Sequence, residues 1–552
     1  MKQPTHFDVA VIGSGIAGSS LAAILAKHGQ KVVVLEAKSH PKFSIGESMI
    51  LETSEVMRSL ASLYGVPELA CFSSENYLPL IGSSHGVKRH FSYLHHTAGA
   101  PYDPQNALQA VIPKAPHGHE LHLYRQDVDA FLTTAAVRYG ATVLQNTPVK
   151  AVSVASAGVT LETHTETYTA DYVVDAGGFK SLLAEQFGLR DFDLQTHSRA
   201  LFTHMVDVPD YPHGGEMPFA MSEGTLHHVF EGGWLWVIPF NNHAKSTNPL
   251  CSVGLMLDPR VYPATELSPE DEFRSFIERF PSVHEQFAGA KAVRPWTRTG
   301  RLQYSSKRVV GDRFALLGHA AGFIDPLYSK GLYTTLMSVS VLADLLLDAQ
   351  KDGDYSATRF APLEATTQAF IRANDRLVAN SYGSFANPKL WSVYRVLWLL
   401  GAYTEFVKLS SLRALARGRR PYYEGVQGLR LVGGGFADFK VLADEIDRWL
   451  EEVDPNDDAA VEAVVADVRA RLLGVDWLPQ AFAEVLNGKT YLPKRKLRPG
   501  LLGREGGFLG RGDYREHFFA GVTPGALVKT FVRERITYSV PAVRSRGLNR
   551  GP

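Results

Sequence analysis

The chain has 552 residues, too many for one hydrophobic core, so two or three domains are expected. Its 57 basic and 57 acidic residues balance, so charge gives no argument for a nucleic-acid partner. Two cysteines, Cys71 and Cys251, are too few for a disulfide framework or a cysteine metal site, which favours a reducing, cytoplasmic location.

The first predicted unit is a strand, a glycine-rich turn and a helix. An apolar run over residues 7–12 predicts a buried strand, and an alanine- and leucine-rich helix follows over 19–27. The glycines between them have the spacing G-x-G-x-x-G: Gly13, Gly15 and Gly18. A second strand ends at Glu36, whose carboxylate suits the hydroxyls of a ribose. This order predicts a dinucleotide site, with FAD and NAD both open and a ligand-free glycine turn as the alternative.

The middle of the chain alternates between nucleotide-sheet and substrate-side elements. The predicted segments are a loop with Gly46-Glu47-Ser48, a helix at 51–64, a His-rich segment at 83–93, a proline-rich loop at 97–116, a helix opening at 124–132, and strands at 142–154, 159–168 and 172–178. Alternating segments over 200–259 predict a second sheet, a natural substrate wall. A buried strand at 309–318 leads through a turn into a helix at 332–347.

From about residue 360 the chain is predicted to be mainly helical. The most apolar long stretch, 394–406, is too short and too charged for stable membrane insertion, which indicates a core or lid helix. The alternative for this stretch is an apolar surface that faces lipid or a lipidic substrate. Residues 494–515 are rich in Gly and Arg and are predicted to be irregular.

Two narrower motifs identify a resemblance. Trp234–Pro239 matches the pattern W-x-W-x-I-P, and Phe323–Gly331 matches F-x-x-P-x-x-S-x-G. Together with the dinucleotide features, they resemble the flavin-dependent halogenases, within the FAD monooxygenases of the hydroxybenzoate hydroxylase fold. The resemblance implies an α/β fold with a Rossmann-like FAD-binding domain of that type, a β-rich substrate domain and a helical C-terminal region.

The expected domain division follows that resemblance. Residues 1–385 form the FAD-binding and halogenase core, and residues 386–552 form a helical region that is a candidate lid. Within the core, the dinucleotide-binding parts are 1–60, 120–185 and 300–350, and the β-rich substrate parts are 75–118 and 190–300.

The resemblance also places FAD on particular residues. The expected contacts are Gly13, Ser14, Gly15, Ala17, Gly18, Glu36, Gly46, Ser48, Arg125, Val149, Gly318, His319, Gly331 and Leu332. His319 departs from the family, which usually has an aspartate there that touches the ribityl chain, and this exchange changes the local charge.

A halogenase keeps flavin chemistry apart from its organic substrate and needs a halide beside the flavin. Trp234 and Trp236 point to the same side of a strand, and the resemblance assigns them to a wall against direct oxygenation. Spacing alone favours two ordinary core side chains. The resemblance places chloride or bromide at the amides of Lys330 and Gly331, where an ordinary helix start is the alternative.

The family also has a lysine between flavin and substrate, which hydrogen-bonds hypohalous acid or forms a haloamine. Lys88 is the only lysine between Lys42 and Lys114 and lies just before Phe91, so it is the candidate, although its spacing to Phe91 is not the commonest in the family. His85 and His90 compete for this role or for that of a base acting on a phenol.

The substrate class is inferred from one position. Tryptophan halogenases carry a glutamate where this chain has Tyr328, so a phenol, resorcinol or pyrrole, free or carrier-bound, is expected instead of free tryptophan. With no second nucleotide motif in view, reduced FAD is expected from a separate NAD(P)H-dependent flavin reductase. The rival functions are an FAD aromatic hydroxylase without halide use, a flavin-binding redox sensor and, more weakly, a saturase or desaturase of isoprenoid chains.

Overall fold

A computed structural model describes residues 5–71, 74–112, 118–415, 418–429, 432–492 and 512–537. Its strands are β1 (Thr5–Ile12), β2 (Val32–Leu35), β3 (Gly86–Lys88), β4 (His90–His95), β5 (Ala107–Val111), β6 (Glu120–His122), β7 (Thr142–Leu144), β8 (Ala151–Ala155), β9 (Gly158–Glu162), β10 (Thr167–Asp175), β11 (Arg190–Asp191), β12 (Arg199–Val206), β13 (Thr225–Phe230), β14 (Gly233–Pro239), β15 (Cys251–Leu257), β16 (Lys291–Ala292), β17 (Thr297–Arg298), β18 (Ser305–Ser306), β19 (Val310–Gly311) and β20 (Phe314–Leu316).

The α-helices flank and join two large sheets. They are α1 (Ile16–Lys27), α2 (Leu51–Tyr64), α3 (Ser74–Leu80), α4 (Arg125–Arg138), α5 (Leu182–Gln186), α6 (Pro269–Ile277), α7 (Pro281–Phe287), α8 (Lys330–Asp352), α9 (Ala357–Ser384), α10 (Pro388–Leu415), α11 (Arg419–Gln427), α12 (Ala437–Glu452), α13 (Asp458–Leu473), α14 (Gln480–Leu486), α15 (Gly512–Phe519) and α16 (Pro524–Thr537).

The first sheet has the strand order β19-β20-β10-β1-β2-β7, and β8 and β9 extend it beside β10. Strands β20, β10, β1, β2 and β7 run parallel. Parallel strands need crossover connections and are covered on both faces, which is why residues 9–12 of β1 and all of β2 are apolar. The predicted Rossmann-like fold is therefore confirmed, although the strand predicted over 142–154 is divided into β7 and β8.

The second sheet has the order β16-β12-β15-β14-β13-β4-β5, and β17 pairs with β12. It is antiparallel except where β13 runs parallel to β4. The prediction of a loop over 97–116 is wrong at residues 107–111, because Ala107–Val111 pairs with β4 and is buried. Strands β3 and β6 form a separate antiparallel pair in which Lys88 lies opposite Glu120.

The C-terminal helices pack on the FAD-binding part. One apolar core runs from Phe7 through α8, α9 and α10 to Leu527. Helix α8 is long and apolar enough to cross a membrane, but 83% of its apolar window is buried inside the protein, as in a core helix. The predicted helical character is confirmed, whereas the lid function and the boundary at residue 385 stay predictions. Of the stretch 494–515 that was predicted to be irregular, residues 494–511 lie outside the described part. The prediction is wrong at residues 512–515, because the helix α15 begins at Gly512.

Candidate active site

The glycine turn after β1 is shaped to leave its backbone bare. Gly13 has φ of +94°, and a Cβ atom there would lie 2.8 Å from the carbonyl oxygen of Ala176. A Cβ atom on Gly18 would lie 2.0 Å from the carbonyl oxygen of Gly13, so α1 packs closely on the strand. No atom lies within 4 Å of a Cβ built on Gly15, which leaves open space in front of the backbone. This cradle fits the pyrophosphate of a dinucleotide such as FAD.

Glu36 lies directly beside this turn. Its carboxylate accepts hydrogen bonds of 2.8 Å from both the backbone N–H and the hydroxyl of Ser14, and it pairs with the Lys42 ammonium. Burial alone raises the pKa of Glu36, but Lys42 and the Ser14 N–H outweigh it and lower the pKa to about 2. The acid is therefore ionised at neutral pH, as a ribose acceptor must be.

Arg125 ties the loop before α2 to α4. Its guanidinium forms a two-pronged pair with Asp129 at 2.9 and 3.0 Å and donates to the carbonyl oxygens of Ile45 and Gly46. Gly46 has φ of +92°, a conformation that favours glycine. Ala17, Val149 and Leu332, also predicted at the cofactor, are partly buried against the same core.

His319 follows Gly318, whose φ of +60° turns the chain between β20 and α8. The ring packs on Phe323 at 4.8 Å between centroids, and its Nε2 lies 3.1 Å from a Cβ built on Gly331. Burial, followed by the positive charge of Arg125, lowers the pKa of His319 to about 4, so the imidazole is neutral at pH 7. The departure from aspartate thus removes a negative charge from this position.

The predicted halide residues begin α8. Ser329 precedes them in the left-handed conformation, with φ of 54°, and Lys330 and Gly331 are the first two helical residues. The Lys330 side chain does not face solvent: its ammonium lies 2.8 Å from the carboxylates of both Glu52 and Glu405. Helix amides without intrahelical partners attract anions at such a start. A cavity of about 40 Å³ lies beside Gly331, between His319 and Asn374.

The two tryptophans of β14 lie on one side of the second sheet, as predicted. Trp234 and Trp236 are 1% and 6% exposed, and their ring centroids are 5.7 Å apart. Trp236 donates its indole N–H to the Ser252 hydroxyl at 3.2 Å. It occupies the space in front of Gly254, where a Cβ atom would lie 2.0 Å from the indole ring. The pair is a buried aromatic cluster anchored within the sheet, and its role as a wall between flavin and substrate stays a prediction.

Lys88 is completely buried at the end of β3. Its ammonium donates to the Ser48 hydroxyl at 2.6 Å and to the Met49 carbonyl at 2.8 Å, and it lies 3.2 Å from the centre of the Phe91 ring. Within the described residues it forms no ion pair. Burial therefore dominates and lowers the pKa of Lys88 well below its usual value, although Glu120 and Glu52 oppose the shift.

The hydrogen bonds behind Lys88 have a single consistent direction. Ser48 accepts from Lys88 and, at 3.1 Å, from Ser329, so its own hydroxyl proton is directed to Thr225 at 2.9 Å. Thr225 contacts Nε2 of His122 at 2.9 Å, while Nδ1 of that ring donates to the Pro239 carbonyl. Burial lowers the pKa of His122 to about 3, so its Nε2 is an acceptor. These hydrogen bonds join Lys88 to Ser329, which precedes the predicted halide residues, and to Pro239, the last residue of β14.

The rival histidines have other partners. His85 contacts the Gly82 carbonyl and stacks on His243 at 4.5 Å, and His90 contacts the Ala220 carbonyl and the Ser92 hydroxyl. Burial lowers the pKa of His85 to about 4 and that of His90 to about 3. Both imidazoles are therefore neutral at pH 7, and their rival roles stay predictions.

Sequence reasoning missed the contribution of α10. Trp398 stacks on Tyr328 at 4.3 Å between centroids and meets the edges of Phe91 and Tyr93 at 5.9 and 5.6 Å. Trp398 therefore packs on the same Phe91 ring that the Lys88 ammonium contacts. The only signal in the sequence was the apolar stretch 394–406, which does not show what the helix packs against.

The geometry and the comparisons with known proteins agree on the class. Residues 90–382, more than half of the chain, match the tryptophan halogenase family, and residues 8–48 match a family of FAD dependent oxidoreductases. The chain belongs to this family of flavin-dependent halogenases, which are FAD-dependent oxidoreductases that use halide. The aromatic hydroxylase alternative is not favoured.

Particular relatives support the same conclusion. The chain is 45% identical to monodechloroaminopyrrolnitrin halogenase PrnC of Pseudomonas fluorescens over 75% of this chain and 74% of the relative. It is 45% identical to tetracycline 7-halogenase of Kitasatospora aureofaciens over 71% and 72%. The solved structure of the halogenase PltM with phloroglucinol and FAD is 33% identical, with a TM-score of 0.81 over 88% of this chain and 99% of that one.

Proposed function

We propose that this enzyme uses reduced FAD, oxygen and chloride or bromide to halogenate an electron-rich aromatic ring of the phenol, resorcinol or pyrrole type. The observation that carries the proposal is Lys88, an amine buried without an ion-pair partner among the described residues and joined through Ser48 to the residue before the halide turn. Tyr328 and Trp398 favour a ring over a charged amino acid, because neither offers a carboxylate. The names of the relatives and the phloroglucinol complex of PltM support this substrate class.

The FAD cradle and the halide turn have separate tasks. Gly13, Gly15 and Gly18 would hold the pyrophosphate, Glu36 the ribose, and the turn at Gly318 and His319 the ribityl side. Bound reduced FAD supplies the oxygen activation that converts halide to hypohalous acid. A separate NAD(P)H-dependent flavin reductase supplies the reduced flavin in this proposal, and the location is cytoplasmic.

Lys88 receives the halogen in this scheme. Because burial lowers its pKa, a larger fraction of its side chain is the neutral amine, which is the nucleophilic form. A neutral amine and hypohalous acid give a haloamine and water, and transfer of the halogen to the ring returns the amine while the ring proton leaves. Trp234 and Trp236 would bar the aromatic substrate from the flavin while a small oxidant passes.

The test is a comparison of two lysine variants. Lys88→Met replaces the amine by a thioether of similar length, and Lys408→Met changes a half-buried lysine that donates to the His517 carbonyl. With bromide, a flavin reductase and a panel of phenols, resorcinols and pyrroles, K88M is expected to lose at least about a hundredfold in halogenated product by mass spectrometry. FAD content is expected to stay at the wild-type level, and K408M to keep its product.

Two outcomes would overturn the assignment. Full turnover by K88M would remove Lys88 from the chemistry. Oxygenated product formed without halide by the wild-type enzyme would replace halogenation by hydroxylation.

A further inference from the structure

The start of α8 carries a second feature that halide binding at its amides does not use. The Lys330 ammonium lies in a buried triad with two carboxyl groups, Glu52 on α2 and Glu405 on α10, each at 2.8 Å. Tyr333, one turn along α8, donates its hydroxyl to the other oxygen of Glu405 at 2.8 Å. Lys330 is 1% exposed and Glu405 is fully buried.

This triad lacks internal charge balance. One ammonium faces two carboxyl groups, so if both are ionised the group carries a net negative charge in a medium of low dielectric constant. The adjacent Glu55 is satisfied separately, because its carboxylate pairs with Arg413 at 2.7 Å and with Arg58 at 3.3 Å. On α10 itself, the Lys408 ammonium donates to the His517 carbonyl. Lys88 is the other buried amine that faces Glu52, whose charge opposes the fall in the pKa of Lys88.

We propose that Glu405, from the C-terminal region, is a positioning residue of the halide site: through Lys330 it holds the start of α8 and sets the net charge that the halide meets. This inference rests on the proposed placement of the halide at the amides of Lys330 and Gly331. It makes α10 part of the halogenating apparatus and not only a cover.

The two charge states of the triad have opposite consequences for an anion. Burial raises the pKa of Glu405 to about 8, against the opposing influence of Lys330. Below that pH the carboxyl is protonated, and the ammonium balances Glu52. Above it the carboxyl ionises, and the triad becomes negative beside the halide. A unit charge on the order of 10 Å from an anion, at an effective dielectric constant near 20, changes affinity by about tenfold.

The experiment measures halide binding directly. Chloride-35 NMR line broadening, with bromide as competitor, is recorded from pH 6.5 to 9.5 on wild type, Glu405→Gln and Glu424→Gln. Glu424 is an exposed carboxylate on α11 and serves as the matched control. Wild type and E424Q are expected to lose halide affinity severalfold to about tenfold above pH 8. E405Q, which keeps the neutral form, is expected to bind halide at pH 9 as it does at pH 7.

A second variant covers a failure of E405Q to fold. Tyr333→Phe removes a hydrogen bond to the ionised carboxylate, so the pH at which halide affinity falls is expected to move upward. Wild-type affinity that is constant across this range, or an unchanged pH dependence in E405Q or Y333F, would overturn the inference. Pure packing by Glu405 would change the melting temperature and not this profile.

The same samples separate this inference from the proposed function. Halide binding that is insensitive to E405Q, together with halogenated phenol, would refute the inference and leave halogenation standing. The expected pH shift without halogenated product from any ring would support the inference about Glu405 and refute halogenation.

Discussion

The orientation of the Lys88 amine depends on which group donates and which accepts in each hydrogen bond around it. The Ser48 hydroxyl has two lone pairs and one proton, and its lone pairs accept hydrogen bonds from Lys88 and Ser329. The Ser48 hydroxyl therefore donates its proton to Thr225, and the Thr225 hydroxyl donates to Nε2 of the neutral His122. This series of hydrogen bonds from Lys88 to His122 orients the amine, and each buried hydroxyl within the series has a partner.

The prediction at this scale concerns Thr225→Val, which keeps the shape and removes both hydrogen bonds. The Ser48 hydroxyl and Nε2 of His122 lose their partner, so kcat is expected to fall about tenfold, with a loss of roughly 1–3 kcal/mol of stability. Thr225→Ser is expected to restore kcat. Steady-state kinetics and urea unfolding measure both quantities.

The control is Thr203→Val, in β12, because the Thr203 hydroxyl is also buried and bonds the Arg294 carbonyl. It is expected to lose stability without losing kcat. A wild-type kcat in T225V would show that the hydrogen bonds from Ser48 through Thr225 to His122 do not orient Lys88.

At the scale of elements, α10 is joined to α2 by charge as well as by apolar packing. Arg413 on α10 reaches Glu55 on α2 at 2.7 Å, and both side chains are buried. Burial raises the pKa of Glu55, but Arg413 and Arg58 outweigh it, so the carboxylate is held ionised. Removing one member of such a pair leaves a buried charge with reduced compensation.

Arg413→Met is accordingly expected to lower the free energy of unfolding by about 3 kcal/mol. The double variant Glu55→Gln/Arg413→Met is expected to recover part of that loss, because no carboxylate remains to be compensated. Arg420→Met, which breaks an exposed pair with Glu424, is the control and is expected to cost less than about 1 kcal/mol. Denaturant titrations of all three decide it, and equal costs for R413M and R420M would contradict the explanation.

At the scale of the molecule, the FAD-binding sheet and the C-terminal helices share one apolar core. Trp391 and Trp398 on α10 pack against Tyr93 of the second sheet. The C-terminal region therefore packs on the second sheet from outside the part that matches the family, which ends at residue 382.

The prediction here is that a chain ending at residue 385 does not form a folded, FAD-binding protein. It would expose the faces of α8 and α9 and the aromatic side chains that α10 covers, at about 25 cal/mol per Å² of apolar surface. Circular dichroism, FAD content and limited proteolysis test this. A soluble, cooperatively folded fragment with bound FAD would instead support 1–385 as an independent domain.

Local signals in the sequence were sufficient for the nucleotide half of the fold. The glycine spacing, the apolar runs of β1 and β2 and the acid at Glu36 act over a few residues, so they are legible in order along the chain. The tryptophan and Ser-Lys-Gly motifs indicated the family for the same reason. The loop predicted over 97–116 failed because pairing with β4, and not local preference, makes Ala107–Val111 a strand.

By itself, the sequence determined the cofactor class, the family and the candidate amine at Lys88. Only the tertiary structure decided what surrounds them: Thr225 and His122 behind the amine, Trp398 on the Phe91 ring that the amine contacts, and Glu405 against Lys330. The physical reason is distance along the chain, because Glu405 and Glu52 meet the same ammonium from helices far apart in sequence. Charge compensation and burial are properties of the assembled core, and no local pattern encodes which distant carboxyl will supply them.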